Sequence, residues 1–494
     1  MNKKTKIIRV ILLSISLFLL LNIAACTKKN DSSSSASKET DKQENADNNT
    51  EDSEDPGNSE DTRESEDTRD SEDKDSKLSD SDQTQDDTRQ ANKNVKDTST
   101  DLMADVKAQD IQPDSDLPKA DFMQKFSVEM LQNLTKDSEE NVLFSPLSIY
   151  YALGMTQNAA ANNTLQQMTD VLHSDSATLN QYLFSYNSLL NQQDEKVKLN
   201  LANSIWFNEE KADRIQVKPD FLQTNADYYN AALRELKFDD AGKDIINAWV
   251  NQNTNEMIPE IIDKIPEDAV MYLINALAFE GEWQVKYEEE DVEQGYFYPS
   301  ENTYQEVQMM NSEENYYLAD EYAQGFLKPY KNPRYAFMAI LPNYGVTLAD
   351  YIENLDADAF TKLLDSVSEE PVLVGIPQFK TEYSTELSKN LKTLGMTDAF
   401  DADYSDFSNG FENVDSSIVI DRILHKTFLE VDAEGTKAAA VTAVGIDETA
   451  MEIPEEKTVY LTNPFLYFII DTELQVPIFV GQMLEIDDVE VVSY

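Results

Sequence analysis

HKTFLEVDAEGTKAAAVTAV (residues 425–444) changes character halfway along. Its first half carries the bulky, alternating side chains of a strand. From Glu434 almost every side chain is small, and the run continues through GIDETAMEIPEEK without building a helix face or a strand face of any bulk. The alanines suit a helix, yet Val441, Thr442 and Val444 are β-branched and lose rotamer freedom there. A strand that commits fully is therefore joined to a long segment that commits to neither state.

The other end of the chain has its own logic. Lys3, Lys4, Lys6 and Arg9 precede an apolar run over residues 10–23, which stops at Ala24, Ala25 and Cys26. A basic head, a short apolar core and small residues before a boundary describe a secretory signal over residues 1–25. The run is several residues too short for a comfortable transmembrane helix. Cys26 is the only cysteine, so no disulfide forms within the chain. IAAC resembles the bacterial lipobox, which implies a diacylglyceryl group on Cys26. The chain would then be anchored through lipid at a bacterial cell surface or envelope, facing outward.

Residues 26–116 read as a disordered acidic spacer. Between Asp31 and Asp116 lie 28 acidic and 10 basic residues, including the tandem hexapeptides SEDTRE (59–64) and SEDTRD (65–70). With so few apolar side chains, nothing offsets the entropy of ordering the segment. A flexible coil of that length spans about 50 Å, enough to hold a domain clear of lipid headgroups.

Residues 117–494 form one unit, and they carry most of the formal charge of −54. Such an excess excludes nucleic acid and heparin-like polyanions as partners, since both need a basic footprint. Helical patterns come early, in DFMQKFSVEMLQNL, TLQQMTDVLH and DIINAWVNQNTNEMI. Strand patterns prevail later, in VMYLINALAFEGEW, RYAFMAILP, VLVGIP, SSIVIDRILHKTFLEVD, KTVYLT, FLYFIID and PIFVGQML. The mixture predicts an α+β fold with large, mostly antiparallel sheets.

Catalytic chemistry is thin. The chain has two histidines, and neither a G-x-S-x-G elbow, an HExxH, a CxxC, a phosphate loop nor an EF-hand pattern. His173 ends a polar helix pattern and is expected at the surface. No enzyme activity, cofactor or metal is expected.

Five blocks, in order, carry a family resemblance. NVLFSPLSIYYAL (141–153) resembles the serpin segment that ends one helix and opens the next. NNTLQQM (162–168) continues the match, with alanine and asparagine in place of the usual glycines. INALAFEGEW (274–283) is similar to the family's sheet strand ending in tryptophan. GIPQFKTEYSTELSKNLKTLGMTDAF (375–400) and NPFLYFIIDTELQVPIFVGQM (463–483) match two more blocks. The resemblance implies the serpin fold and an exposed reactive-centre loop after HKTF. A target protease cleaves that loop, whose N-terminal part then inserts as a new strand before the acyl-enzyme is hydrolysed. Serine endopeptidases, and by extension papain-like cysteine ones, are the implied partners of a monomeric inhibitor.

That role accounts for the uncommitted stretch. Gly435 supplies a hinge with free φ, and Thr436, Ala438, Ala440 and Thr442 alternate at the strand period of two. If the even positions face the core after insertion, Lys437 and Asp447 both fall on the solvent side and no unpaired charge is buried. No proline lies between Gly435 and Pro454, so each inserted amide can join the ladder.

By position, Ser145, Ser148, Asn275 and His425 resemble the family's shutter cluster beneath the main sheet. Trp283 resembles the tryptophan at the breach where the loop enters. Two departures concern the same spot: Ala433 stands where inhibitory members have an acid, and Gln378 where they have its lysine partner. The top of the sheet is then expected to open more easily. Counting from Gly435 puts the reactive bond between Thr449 and Ala450, while the alignment of Ile453 and Pro454 points to Met451. Thr449 suits elastase-like or subtilisin-like enzymes, and Glu448 leaves a glutamate-specific protease as an alternative. A non-inhibitory serpin acting as a binding or structural surface protein is the competing reading.

Overall fold

MYLINALAFEGE is apolar almost without interruption, the pattern of a strand buried on both faces. It forms the centre of the main sheet in the computed structural model, in which residues 95–190, 197–266, 269–412, 418–436 and 457–494 are described. This strand, β6 (Met271–Glu282), sends Leu273, Leu277 and Phe279 into the principal core and Tyr272, Ile274, Ala276 and Ala278 into a second one. The alternation is the period of two expected of a pleated strand.

The main sheet runs in the order β1 (Thr100–Asp101), β5 (Ala232–Leu236), β3 (Val197–Asn208), β6, β15 (Gly435–Thr436), β14 (Arg422–Val431) and β12 (Phe379–Glu386). A ten-stranded sheet carries the order β16 (Lys457–Tyr460), β11 (Ser368–Pro377), β8 (Thr303–Ala319), β9 (Ala323–Pro329), β10 (Tyr335–Pro342), β17 (Phe465–Asp471), β18 (Val476–Met483) and β2 (Val142–Phe144). Off that path, β7 (Val292–Ser300) and β19 (Val492–Ser493) both pair with β8. A small ladder joins β4 (Gln216–Val217) to β13 (Phe411–Glu412). Most pairings are antiparallel, but β6–β14, β3–β5 and β11–β16 are parallel.

Helices α1 (Asp121–Thr135), α2 (Pro146–Gln157), α3 (Asn162–Leu172), α4 (Ser176–Leu190), α5 (Pro219–Tyr229) and α6 (Asp240–Asn253) come early, as the sequence pattern predicts. Short helices α7 (Leu348–Asn354), α8 (Ala357–Asp365) and α9 (Ser388–Leu394) follow among the strands. Every residue of α2 is buried, which its apolar sequence permits. Pro146 occupies its first turn, where no amide is needed, and the Ser145 hydroxyl caps it by accepting from the Ser148 N–H at 3.1 Å. The sequence pattern carries α6 on through TNEMI. The helix instead ends at Asn253, because Asn255 and Glu256 turn left-handed with φ of 54° and 63°.

The folded body begins before residue 117. Arg234 binds the Asp97 carboxylate at 2.6 Å, and the Leu102 N–H donates to the Leu233 carbonyl at 3.0 Å. The Gln109 N–H donates to Asp227 at 2.7 Å and the Asp114 N–H to the Ser185 hydroxyl at 2.8 Å. Val95 packs on the second core, and Leu102 and Met103 pack on the first. The final part of the stretch assigned to the spacer thus adds an edge strand to the main sheet. Cys26 and the acidic hexapeptides lie outside the described residues.

A chain that starts at Leu117 should lose this strand and its contacts. Each net hydrogen bond contributes about 0.5–1.5 kcal/mol, and the half-buried apolar side chains add to that. The urea midpoint should therefore fall, by a shift worth on the order of 2–4 kcal/mol. An unchanged midpoint would mean that residues 95–116 contribute nothing to the fold.

Candidate functional site

The middle of the main sheet has a seam. Over Arg422–Phe428, β14 lies directly beside Tyr272–Ala278 of β6 in a parallel pairing. Above that the two strands part, and β15 sits between them, antiparallel to both. Thr436 lies level with Gly281 on one side and Val431 on the other.

Gly435 enters this slot at φ +155°, and a Cβ there would lie 2.2 Å from the Gly281 carbonyl oxygen. Close approach of backbone to backbone therefore requires glycine at the hinge. The turn before it is held by Asp432, whose carboxylate accepts the N–H groups of Glu434 (2.8 Å) and Gly435 (3.1 Å). Burial pushes the Asp432 carboxyl above its ordinary value, and those two N–H bonds oppose the shift. Thr436 is fully buried, and its hydroxyl bonds the Tyr330 hydroxyl at 2.7 Å. It shares the core-facing side with Val431 and Leu429. Ala438, Ala440, Thr442, Glu448, Thr449, Ala450 and Met451 lie outside the described residues.

Trp283 packs at the top of the slot. Its ring is fully buried and stacks on Tyr330 at 4.7 Å and 9°. Its indole N–H donates to the Asp432 carbonyl at 2.8 Å and its backbone N–H to the Glu434 carbonyl at 3.2 Å. The Lys328 ammonium lies 5.4 Å from this ring and 4.2 Å from that of Tyr287, and pairs with Glu314 at 2.6 Å. Both members of that pair are buried, and removal of either would strand its partner's charge.

The expectation of a looser sheet top needs correction. Ala433 and Gln378 do lack the family's charges, but Glu434, one residue along, pairs with Lys286. Lys286 also lies 3.6 Å from Glu282, which in turn binds Lys331 at 2.8 Å. Burial pulls the Lys286 ammonium down, yet the bonds and charges of Glu434 and Glu282 outweigh it and hold it above its ordinary value. A clamp across the hinge is present with different residues.

Ser145, Ser148, Asn275 and His425 come together below the seam. The His425 Nε2 accepts the Ser145 N–H at 3.1 Å, so the proton sits on Nδ1 and is donated to the Asn275 side-chain oxygen. The Asn275 amide donates to the Ser148 carbonyl and, at 2.9 Å, to the Asn203 side-chain oxygen. Asn203 also receives the Ser148 hydroxyl at 3.4 Å. Sequence reasoning misses Asn203, which lies directly opposite Asn275 in the β3–β6 ladder. An asparagine inside the apolar strand pattern LANSIWF is the available signal. His173, by contrast, stands apart, 2.8 Å from Glu129 near the surface.

Comparison with known proteins follows the same outline. The family model for Serpin (serine protease inhibitor) matches residues 121–486. Human Serpin B3 is 31% identical over 388 residues, covering 72% of this chain and 97% of that protein. Among solved structures, the thermophilic serpin Tengpin in its native state superposes with a TM-score of 0.74 at 41% identity, covering 78% of this chain and all of that one. The same protein in its latent state gives 0.65 at 37% identity, over 76% of this chain and all of that one.

Burial pushes the His425 imidazole from the ordinary 6.5 down to about 3. A neutral ring in the fold and a protonated one in the unfolded chain make stability depend on pH. The contribution is complete above pH 6.5 and is lost as pH falls from there towards 3. Between pH 7 and 5 this one group should remove about 2 kcal/mol. Urea unfolding of the wild type and of His425→Gln at both pH values isolates the effect, since the carboxylates titrate in both proteins. Equal pH slopes in the two proteins would refute the assignment.

Proposed function

Because the chain belongs to the serpin family, we propose that it is a suicide inhibitor of serine endopeptidases, and of papain-like cysteine ones by the same chemistry. The observation that carries this reading is β15: the first two residues of the small-residue segment already occupy the seam between β6 and β14. A loop that has begun to insert needs only release of its far end to continue.

In the reaction, the protease serine oxygen attacks the Thr449 carbonyl, the Thr449–Ala450 bond breaks, and the Ala450 amine leaves with a proton. Thr449 is then held as an ester on the enzyme. Insertion carries this ester away from the hinge before water reaches it. Continued downward, the register that sets Thr436 level with Val431 would bring every second residue level with one of β14: Ala438 beside Leu429, Ala440 beside Thr427 and Thr442 beside His425. Thr442 would thus reach the level where His425 binds Asn275 across the seam. That bond must break for the strand to pass, and the Thr442 hydroxyl would be placed to satisfy what it leaves.

The small Thr449 and Ala450 favour elastase-like and subtilisin-like enzymes, with Glu448 and Met451 as alternative residues at the reactive bond. No Lys or Arg lies between Lys437 and Lys457, so trypsin-like enzymes are poor targets. A lipid on Cys26 and the acidic spacer would present a monomeric inhibitor outward from a bacterial envelope.

Incubation with pancreatic elastase and with subtilisin should give a complex that survives SDS. The C-terminal peptide released from it should begin at Ala450 by mass spectrometry; a start at Glu452 would move the bond to Met451. Thr436→Arg puts a charge on the buried side of the slot, so this variant should be cleaved at the same bond without trapping. Cleavage of the wild type without trapping by any protease would favour the non-inhibitory reading.

A further inference from the structure

The chain continues for eight residues past the family match, and those residues build something specific. Gln305, fully buried on β8, holds their start: its amide donates to the carbonyls of Ile486 and Val489, both at 2.8 Å, and its oxygen accepts the Ile486 N–H at 2.8 Å. The tail then forms β19 against Thr303 and Tyr304. Its last residue, Tyr494, is anchored through a backbone bond to the Asn302 carbonyl at 3.2 Å.

The β7–β8 hairpin beneath it alternates. Phe297, Gln305 and Val307 point inward and are buried. Outward positions of such a hairpin are ordinarily charged or polar. Here they include Tyr296, Tyr298 and Tyr304, with Tyr494 added from the tail. The rings of Tyr296 and Tyr304 lie 5.6 Å apart, those of Tyr296 and Tyr298 6.4 Å, and those of Tyr304 and Tyr494 5.2 Å. Tyr296 is 45% exposed and Tyr494 81% exposed. Four clustered tyrosines on a solvent face have the composition of an interface.

We propose that this tyrosine face is a second docking surface for the target protease, engaged alongside the reactive loop; the inference rests on the inhibitory reading above. Two observations select that occupant. The face is continuous with the loop's return path, because the Tyr298 N–H donates to the Thr462 carbonyl at 2.7 Å, just beyond β16, into which residues 437–456 lead. Five residues of extended chain separate Lys457 from Thr462, roughly 17 Å, so the face lies beside the strand that receives the loop's C-terminal end. The rings also meet at 73°, 38° and 32°, so they form a textured patch suited to protein side chains and not the flat platform a sugar ring stacks on. Exposed Glu306, level with Tyr296 in the ladder, and Glu301, in the turn that joins β7 to β8, flank the patch, which calls for a basic face on the protease.

The test compares wild type with Tyr296→Ser/Tyr298→Ser/Tyr494→Ser, and separately with Glu301→Lys/Glu306→Lys. Each is assayed against pancreatic elastase and subtilisin for association rate and for moles of inhibitor consumed per enzyme trapped. The tyrosine variant should associate about tenfold more slowly with at least one enzyme, with trapping stoichiometry and melting temperature unchanged. The lysine variant should slow the same enzyme and weaken the salt dependence of its rate. Unchanged rates in both variants overturn the docking surface while leaving the inhibitor reading intact. Failure of the wild type to trap either enzyme instead counts against the inhibitor reading. If the tyrosine variant misfolds, the charge variant alone decides. Sedimentation adds one further outcome: a wild-type dimer that becomes monomeric in the tyrosine variant would assign the face to a second copy of the chain and overturn the proposal.

Discussion

The parallel pairing of β6 with β14 governs the behaviour of the main sheet. Both strands are central, β6 buried along almost all its length and β14 chiefly on one face, and below Phe428 nothing separates them. Parallel ladders are slightly weaker per residue than antiparallel ones, so the centre of this sheet is joined by its less favourable type of contact. A strand entering from above would replace one parallel ladder by two antiparallel ones. The hairpin turn at Asp432, the glycine at 435 and the buried Thr436 already establish the first step of that exchange.

What keeps the exchange from running on is a set of interactions that bridge the seam or seat the hinge. At the top, Trp283 holds the carbonyls of Asp432 and Glu434, and Lys286 holds the Glu434 carboxylate. At the centre, His425 and Asn275 face each other directly across the line a new strand would take. Because the imidazole accepts with one nitrogen and donates with the other, the whole network has a single proton arrangement. A charged ring would lose the Ser145 N–H, and among the described residues no carboxylate joins that network to compensate. Neutrality of this histidine is thus a condition of the closed seam.

Much of this was legible from residues. Gly435 and the parity of Thr436 follow from small side chains at period two and from the positions of Lys437 and Asp447. The serpin resemblance is what grouped His425 with Asn275, each on a strand whose pattern is unmistakable. The Glu434–Lys286 pair was not legible: Lys286 lies just past β6 in an irregular stretch, and only the chain path brings it to the hinge. The boundary at 117 failed for a different reason. Val95, Leu102 and Met103 are too few to register against the acidic background before them, yet a short edge strand needs only a few apolar contacts because the sheet it joins is already formed.

The displaced clamp shows which feature of the breach is under physical constraint. Ala433 and Glu434 are successive residues of the turn that Asp432 holds, and Glu434 is the one whose carboxylate meets a cation. That cation comes from Lys286, beside β6, while position 378 on the β11–β12 connection is the uncharged Gln378. The pair therefore ties the hinge to the end of β6 itself, the strand from which β14 must separate. Lys286 also reaches Glu282, the residue level with Gly435 in the ladder. On the register of β15, insertion would lay residues 438, 440 and 442 below Thr436 and leave Glu434 beside Lys286, so the pair need not break as the seam parts. A clamp built this way seats the hinge before and after insertion and strands no charge at either stage.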